Sequence, residues 1–293
     1  MNKFVPKEIT EEVNVTPVHP LVNLGYLMAT VAVVGLAIYS GLGLVASHLA
    51  TRIRPETEEQ IGATMTSTLR LISDDSDSRI NYLNELLAAL QADVASTPLG
   101  NSQYPPLKVS ILETEVENAM VSAGSYLFVT DGLLAAVDSE NELAFVLAHE
   151  LGHLHHRDPL KALGRSLVWV TMSSLIGLGE GPTSAALPSF LNLSELGHSR
   201  AQETAADDYA VALIMAHYQH GAHSLGFFER NQDLDPDWGA LNSVAQWQQT
   251  HPLSRDRIQR IEATFVQKGW PLLGEATPLP ENIACPNFEP CEP

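Results

Sequence analysis

Residues Ser139 to His156 read SENELAFVLAHELGHLHH, and this stretch decides the fold. Ser139 followed three positions later by Glu142 is a capping box, so a helix is expected to start where the apolar run begins. Leu143, Phe145, Val146, Leu147 and Leu154 make that helix apolar nearly all round, which predicts a core element. Inside it stand His149, Glu150, Leu151, Gly152 and His153. Imidazoles at i and i+4 leave one face a turn apart. They can grip a single Zn²⁺ at about 2.0 to 2.1 Å each while the intervening Glu reaches a water on the ion. A chance pattern on an exposed helix fits poorly, because buried His and Glu are costly to desolvate unless they are paired or coordinated. His155 and His156 read as a polar helix end near the terminal carbonyls, not as ligands.

Two histidines leave a catalytic zinc one protein ligand short. No histidine follows at the short HExxHxxGxxH spacing, where position 159 is Pro. Further along, Ser199 to Met215, SRAQETAADDYAVALIM, reads as a second, Ala-rich helix. Its Glu203 and Asp207 share one face with Ala210, Val211 and Ile214. The sensible use of such an inward carboxylate pair is Glu203 on the metal and Asp207 accepting the free N–H of a ligating imidazole. The rival is a solvated acidic face, since Asp208 adjoins it.

Outward from these helices, Leu21 to Ala50 is a run of 30 residues without Asp, Glu, Lys or Arg. About 20 residues at 1.5 Å each already cross a hydrocarbon core of about 30 Å, so a transmembrane anchor is expected. The acidic preceding segment and the absence of a tidy cleavage site argue against a signal peptide. Lys3 and Lys7 before the span balance Arg52 and Arg54 after it, so the charge rule gives no orientation. Cys285 and Cys291 could close a small disulfide loop, a slight lean toward a non-cytosolic catalytic domain. Sixteen Lys and Arg against 35 Asp and Glu, a net charge of −19, exclude a general nucleic-acid binder. With only two cysteines, a cysteine-ligated zinc module is excluded as well. The organisation expected is a polar segment 1–20, a transmembrane helix 21–50, a peptidase domain 51–268 and a Pro-rich tail 269–293. Within it, Pro55 to Asp93 reads as helical, with a stripe of Ile80, Leu83, Leu86, Leu87 and Leu90. Leu107 to Leu112 and Tyr126 to Thr130 read as strands. From Asp131 to about Gln267 the pattern is helical, broken at Gly177 to Pro188, and Leu167 to Leu178 reads as a buried or interfacial helix.

From Asn118 to Ile258 the chain resembles the gluzincin zinc metallopeptidases of the HtpX and CAAX prenyl protease type. The matching stretches are NAMVSAG, YLFVTDGLL, NELAFVLAHELGHLHHRD, SRAQETAADD and THPLSRDRI. The resemblance implies His149, His153 and Glu203 as ligands of one zinc per chain, Glu150 as the catalytic base and Asp207 as the partner of a ligand. It also implies an edge strand at Asn118 and Ala119 that binds extended substrate backbone, although Met120 and Val121 replace the family's aromatic and Ser122 to Ser125 departs from its Pro-Gly-Gly turn. His251, in a His-Pro pattern with Arg257 and Ile258, is implied near the active site. There it would donate to the oxygen that becomes charged in the transition state, while Arg257 holds the segment against a carboxylate.

The expected fold is therefore α+β: an N-terminal transmembrane helix, then a mostly helical zincin domain with a small sheet lining the cleft. The expected function is a membrane-anchored zinc metalloendopeptidase acting on protein or peptide substrates, with a role in membrane protein quality control. Its partners are the substrate and the bilayer through Leu21–Ala50. The alternative is a membrane-tethered binding or chaperone-like module with structural zinc. Three ligands beside an unligated Glu describe an open site rather than a closed structural one. An intramembrane protease is disfavoured by Glu140, Glu142, Arg157 and Asp158, which flank the motif closely.

Overall fold

In the computed structural model, residues 19–50, 52–94, 106–175, 198–231, 251 and 254–283 are described. Two compact units divide at residue 42, Met1–Leu42 and Gly43–Pro293. Helix α1, Pro20–Ala50, begins in the first and ends in the second. Its best 18-residue window has a mean hydropathy of 2.1, and that window buries no residue against the protein. Leu21, Leu27, Val33 and Leu36 are among its exposed side chains, an apolar surface long enough to cross a membrane.

In the second unit, the stretch read as one helix from Pro55 to Asp93 is two. Helix α2 covers Pro55–Met65 and helix α3 Arg79–Val94, with a 3₁₀ turn at Leu69–Leu71 and strand β1 at Ser73–Asp74 between them. Local side-chain bonds explain the break. Asp74 accepts from the backbone and hydroxyl of Ser76, and Asp77 accepts from the backbone of Arg79, which hold turns in place of a continuing helix. The expected stripe lies on α3, where Leu83, Leu86, Leu87 and Leu90 are buried.

The sheet has the order β1-β2-β4-β3, with β2 Lys108–Leu112, β3 Ala119–Ser122 and β4 Tyr126–Thr130. β2 runs parallel to β4, which pairs Ile111 with Val129, and β3 runs antiparallel to β4, which pairs Ala119 with Val129. Alternation places Ala119, Val121, Leu127 and Val129 in the main core, while Tyr126 and Phe128 face a second cluster with Leu69. Helices α4 Asp131–Ala136, α5 Glu140–His155, α6 Asp158–Leu175, α7 Arg200–Tyr218, α8 Gly226–Asn231 and α9 Arg255–Gln267 follow. The break at Gly177 to Pro188 and the cysteines Cys285 and Cys291 fall outside the described residues, as do positions 176–178 of the Leu167 to Leu178 stretch.

The Pro-rich end beyond Gly269 runs over the core as far as Ile283, touching it at a few side chains. Ile283 is fully buried, and Trp270, Leu272 and Leu279 pack against the main cluster. Thr277 accepts from the backbone of Glu140 at 2.9 Å, and its own N–H donates to Asn141 Oδ1 at 2.8 Å. The first turn of α5 thereby loses an unsatisfied donor.

Candidate metal centre

Helix α5 starts as the sequence indicates, with Ser139 Oγ accepting from Glu142 N. Only half of the capping box forms, because the Glu142 carboxylate pairs with Arg230 and accepts from Asp138 N instead. From Asn141 to Leu154 every residue of α5 is buried. Helix α7 crosses it with a full capping box, Ser199 with Gln202. Gly152 permits the crossing: a β-carbon added there would lie 2.8 Å from Ala206 Cα. Ala206 sits between Glu203 and Asp207, so the small pair sets both carboxylates against the histidine face. Replacing Gly152 by Ala is expected to part the helices, destabilise the fold by roughly 1 to 3 kcal/mol and weaken metal binding. Thermal unfolding and a chelator titration of the variant measure the two effects.

His149, His153, Glu203 and His251 meet in one buried cluster whose donor atoms all lie within 4.8 Å of one another. His149 Nε2 is 3.1 Å from His153 Nε2, and His153 Nε2 is 3.3 Å from Glu203 Oε1. His251 Nδ1 lies 3.2 Å from His149 Nε2 and 3.1 Å from Glu203 Oε1. Donors about 2.0 to 2.1 Å from one tetrahedral zinc stand about 3.3 Å apart, so the spacing suits that ion.

The outer nitrogens are engaged. His149 Nδ1 meets Asp207 Oδ1 at 3.0 Å, and His153 Nδ1 meets Asp158 Oδ2 at 3.0 Å. Asp207 and Asp158 thus hold the two rings with Nε2 turned into the cluster, where neutral imidazoles would each offer a metal a lone pair, and the donor set fits zinc. Burial works against charge on both rings. Even so, Asp207 and Glu203 raise His149, and Asp158 and Glu203 lift His153 to about 9. Burial also opposes the charge of Glu203, yet the neighbouring His251 and His149 rings hold its carboxyl far below the usual range. His251 is pushed down by burial.

Glu150 is 1% exposed, and neither carboxylate oxygen has a hydrogen-bond partner. Its Oε1 stands 3.4 Å from His251 Nε2. Arg257 on α9 binds both helix-α7 carboxylates, Nη1 to Glu203 Oε2 at 2.7 Å and Nη2 to Asp207 Oδ1 at 2.7 Å. The buried carboxylates are thus charge-balanced from α9. Asn118, also 1% exposed, has its backbone locked to Thr130, while both side-chain polar atoms lack a partner. Ala119 follows it on edge strand β3, whose outer side faces no other strand among the described residues.

The sequence reading assigned no role to Asp158 or His198. Asp158 lies five positions beyond His153, past the end of α5, where helical periodicity no longer indicates direction. Its carboxyl is held well below the usual range by His153 and Gln202 in spite of burial. His198 stacks on His153 with ring centroids 3.8 Å apart. A lone His before an N-cap carries no sequence signal for such a position. His156 caps α5 through Gly152 O, consistent with a helix-end role.

Known proteins match this arrangement. The family model "Peptidase family M48" matches residues 84–265. Metalloprotease YcaL of Escherichia coli is 28% identical over 199 residues, 64% of this chain and 73% of that protein. A protease HtpX homolog of Aeropyrum pernix is 31% identical over 163 residues, covering 42% of this chain and 50% of that one. The mitochondrial metalloendopeptidase OMA1 of Schizosaccharomyces pombe is 29% identical over 158 residues, covering 53% and 45%. The chain thus spans about half the length of the latter two relatives. The matched region holds α5, α7 and most of α9, together with strands β2, β3 and β4 and all the proposed zinc ligands, and on that match the chain belongs to peptidase family M48 as a metallopeptidase.

Proposed function

We propose that the chain is a membrane-anchored zinc endopeptidase with His149, His153 and Glu203 as ligands. The observation that carries this reading is the convergence of the two imidazole Nε2 atoms to 3.1 Å beside a buried Glu150 whose carboxylate makes no hydrogen bond. Bound zinc would supply Lewis acidity, acidifying a water and polarising the scissile carbonyl. Glu150 takes the proton of the attacking water and returns it to the leaving amine. Asp207 and Asp158 hold the two imidazoles in the tautomer that presents Nε2 inward. The peptide adds as a strand along Ala119–Ser122, and the buried Asn118 amide meets its backbone. Helix α1 tethers this machinery to a bilayer, where membrane proteins in need of removal are the proposed substrates. A structural zinc in a binding module would leave the Glu150 carboxylate buried to no purpose. Chelation of the purified protein should abolish casein or peptide cleavage and stoichiometric zinc should restore it. Cleavage that persists without metal would remove this reading.

For His251 two roles follow from its two nitrogens. Nε2 beside Glu150 suits a donor to the substrate oxygen as it becomes charged, as the sequence pattern suggests. Nδ1 beside Glu203 and His149 suits a fourth ligand. As a donor, His251→Ala lowers kcat by roughly 10² to 10³ with zinc affinity unchanged. As a ligand, the same variant lowers zinc affinity. Steady-state kinetics with a chelator titration assigns the role.

A further inference from the structure

Arg157 follows the metal helix directly and adopts a positive φ of 56°, which turns the chain from α5 into α6. Its guanidinium reaches back more than a hundred residues in sequence. It donates to Ile53 O at 2.9 Å and to Ala50 O at 3.3 Å, and it is ion-paired with the buried Glu58 of α2. Ala50 is the last residue of apolar helix α1, so its carbonyl belongs to the end that an α-helix leaves short of internal partners and that favours a cation, and Ile53 lies three residues beyond it. Apolar contacts reinforce the junction, since Ala50, Met65, Ala123 and Leu160 form one buried cluster.

The next residue, Asp158, accepts the His153 Nδ1 proton at 3.0 Å and is itself held by Lys161 at 3.1 Å. A dipeptide therefore joins the end of the apolar helix to the imidazole of a proposed zinc ligand. Helix α2, which carries Glu58, also packs closely on the sheet. Gly62 of α2 lies so close to the turn joining β3 and β4 that an added β-carbon would come within 1.8 Å of Ala123 O.

We propose that Arg157 is a positioning residue, which fixes the end of the apolar helix against the metal helix and through Asp158 sets the orientation of His153. The proposal rests on His153 being a zinc ligand. Its consequence is that residues 43–54 belong to the catalytic unit, and the metal centre feels how the end of the anchor is seated.

The test uses the full chain in detergent, with zinc affinity read by chelator competition. R157Q is expected to lower affinity about tenfold and D158N about 10 to 100-fold, with the R157Q D158N double variant no weaker than D158N alone. R157K, which keeps the charge opposite Glu58 but not the planar fork, should recover part of the loss. An R157Q protein with wild-type affinity, or a double variant whose losses simply multiply, overturns the proposal. If R157Q does not fold, E58Q takes its place. A smaller affinity loss that vanishes in the D158N background supports the coupling, and an unchanged affinity overturns it. Wild-type protein that binds no zinc would instead refute the assignment of the centre itself.

Discussion

Glu150→Gln is expected to retain zinc and lose peptide hydrolysis, with kcat down by roughly 10² to 10⁴. The substitution keeps the shape of the side chain and removes the basic oxygen. Glu150 is not one of the clustered ligands, and its carboxylate makes no hydrogen bond that holds the fold together. The amide is also uncharged, so the change lightens the load of buried negative charge, and the apo protein should be no less stable. Metal analysis, thermal unfolding and cleavage of an unfolded protein such as casein separate the outcomes. A Gln variant that cleaves at the wild-type rate would require a different base, and His251 Nε2, 3.4 Å away, would be the next group to examine.

His153→Ala combined with Glu203→Ala should take zinc from about one per chain to near none, because two of three proposed ligands leave at once. The lost groups differ in their structural consequences. Removing His153 takes one hydrogen-bond partner from Asp158 but leaves Lys161 and Gln202. Removing Glu203 frees one arm of Arg257, whose other contact, to Asp207, persists. The fold should survive with its metal gone. By contrast, Asp207→Ala leaves every ligand in place while it loosens the His149 ring and takes a carboxylate from Arg257 and Arg260, so affinity should fall about 10 to 100-fold rather than vanish. Stoichiometric zinc in the double variant would show that other groups hold the ion.

The order of these effects reflects how far each residue could be read from its neighbours in sequence. His149 and His153, and Glu203 and Asp207, are pairs one helical turn apart, so their shared faces follow from backbone geometry once the helices are recognised. The strands at 108–112 and 126–130 were legible from β-branched and aromatic alternation. The break inside Pro55 to Asp93 was missed because helical periodicity was extended across ISDDSDS, where short polar side chains compete for the backbone. Asp158 was missed because the chain reverses at Arg157, and spacing along a helix carries no information beyond such a turn.

The amino-acid sequence sufficed to find helices α5 and α7 with their histidines and carboxylates, the apolar helix and the family resemblance, since each depends on residues within a few turns of one another. The tertiary structure added that the two helices cross at Gly152 and Ala206, that His251 Nδ1 comes within reach of His149 and Glu203, and that the carboxylates held by Arg257 are Glu203 and Asp207. It also decided that the Pro-rich segment covers the start of α5 and that Arg157 clasps the end of α1. These contacts join residues from 50 to more than 100 positions apart. Their strength comes from close approach and burial of charge, which no local period encodes.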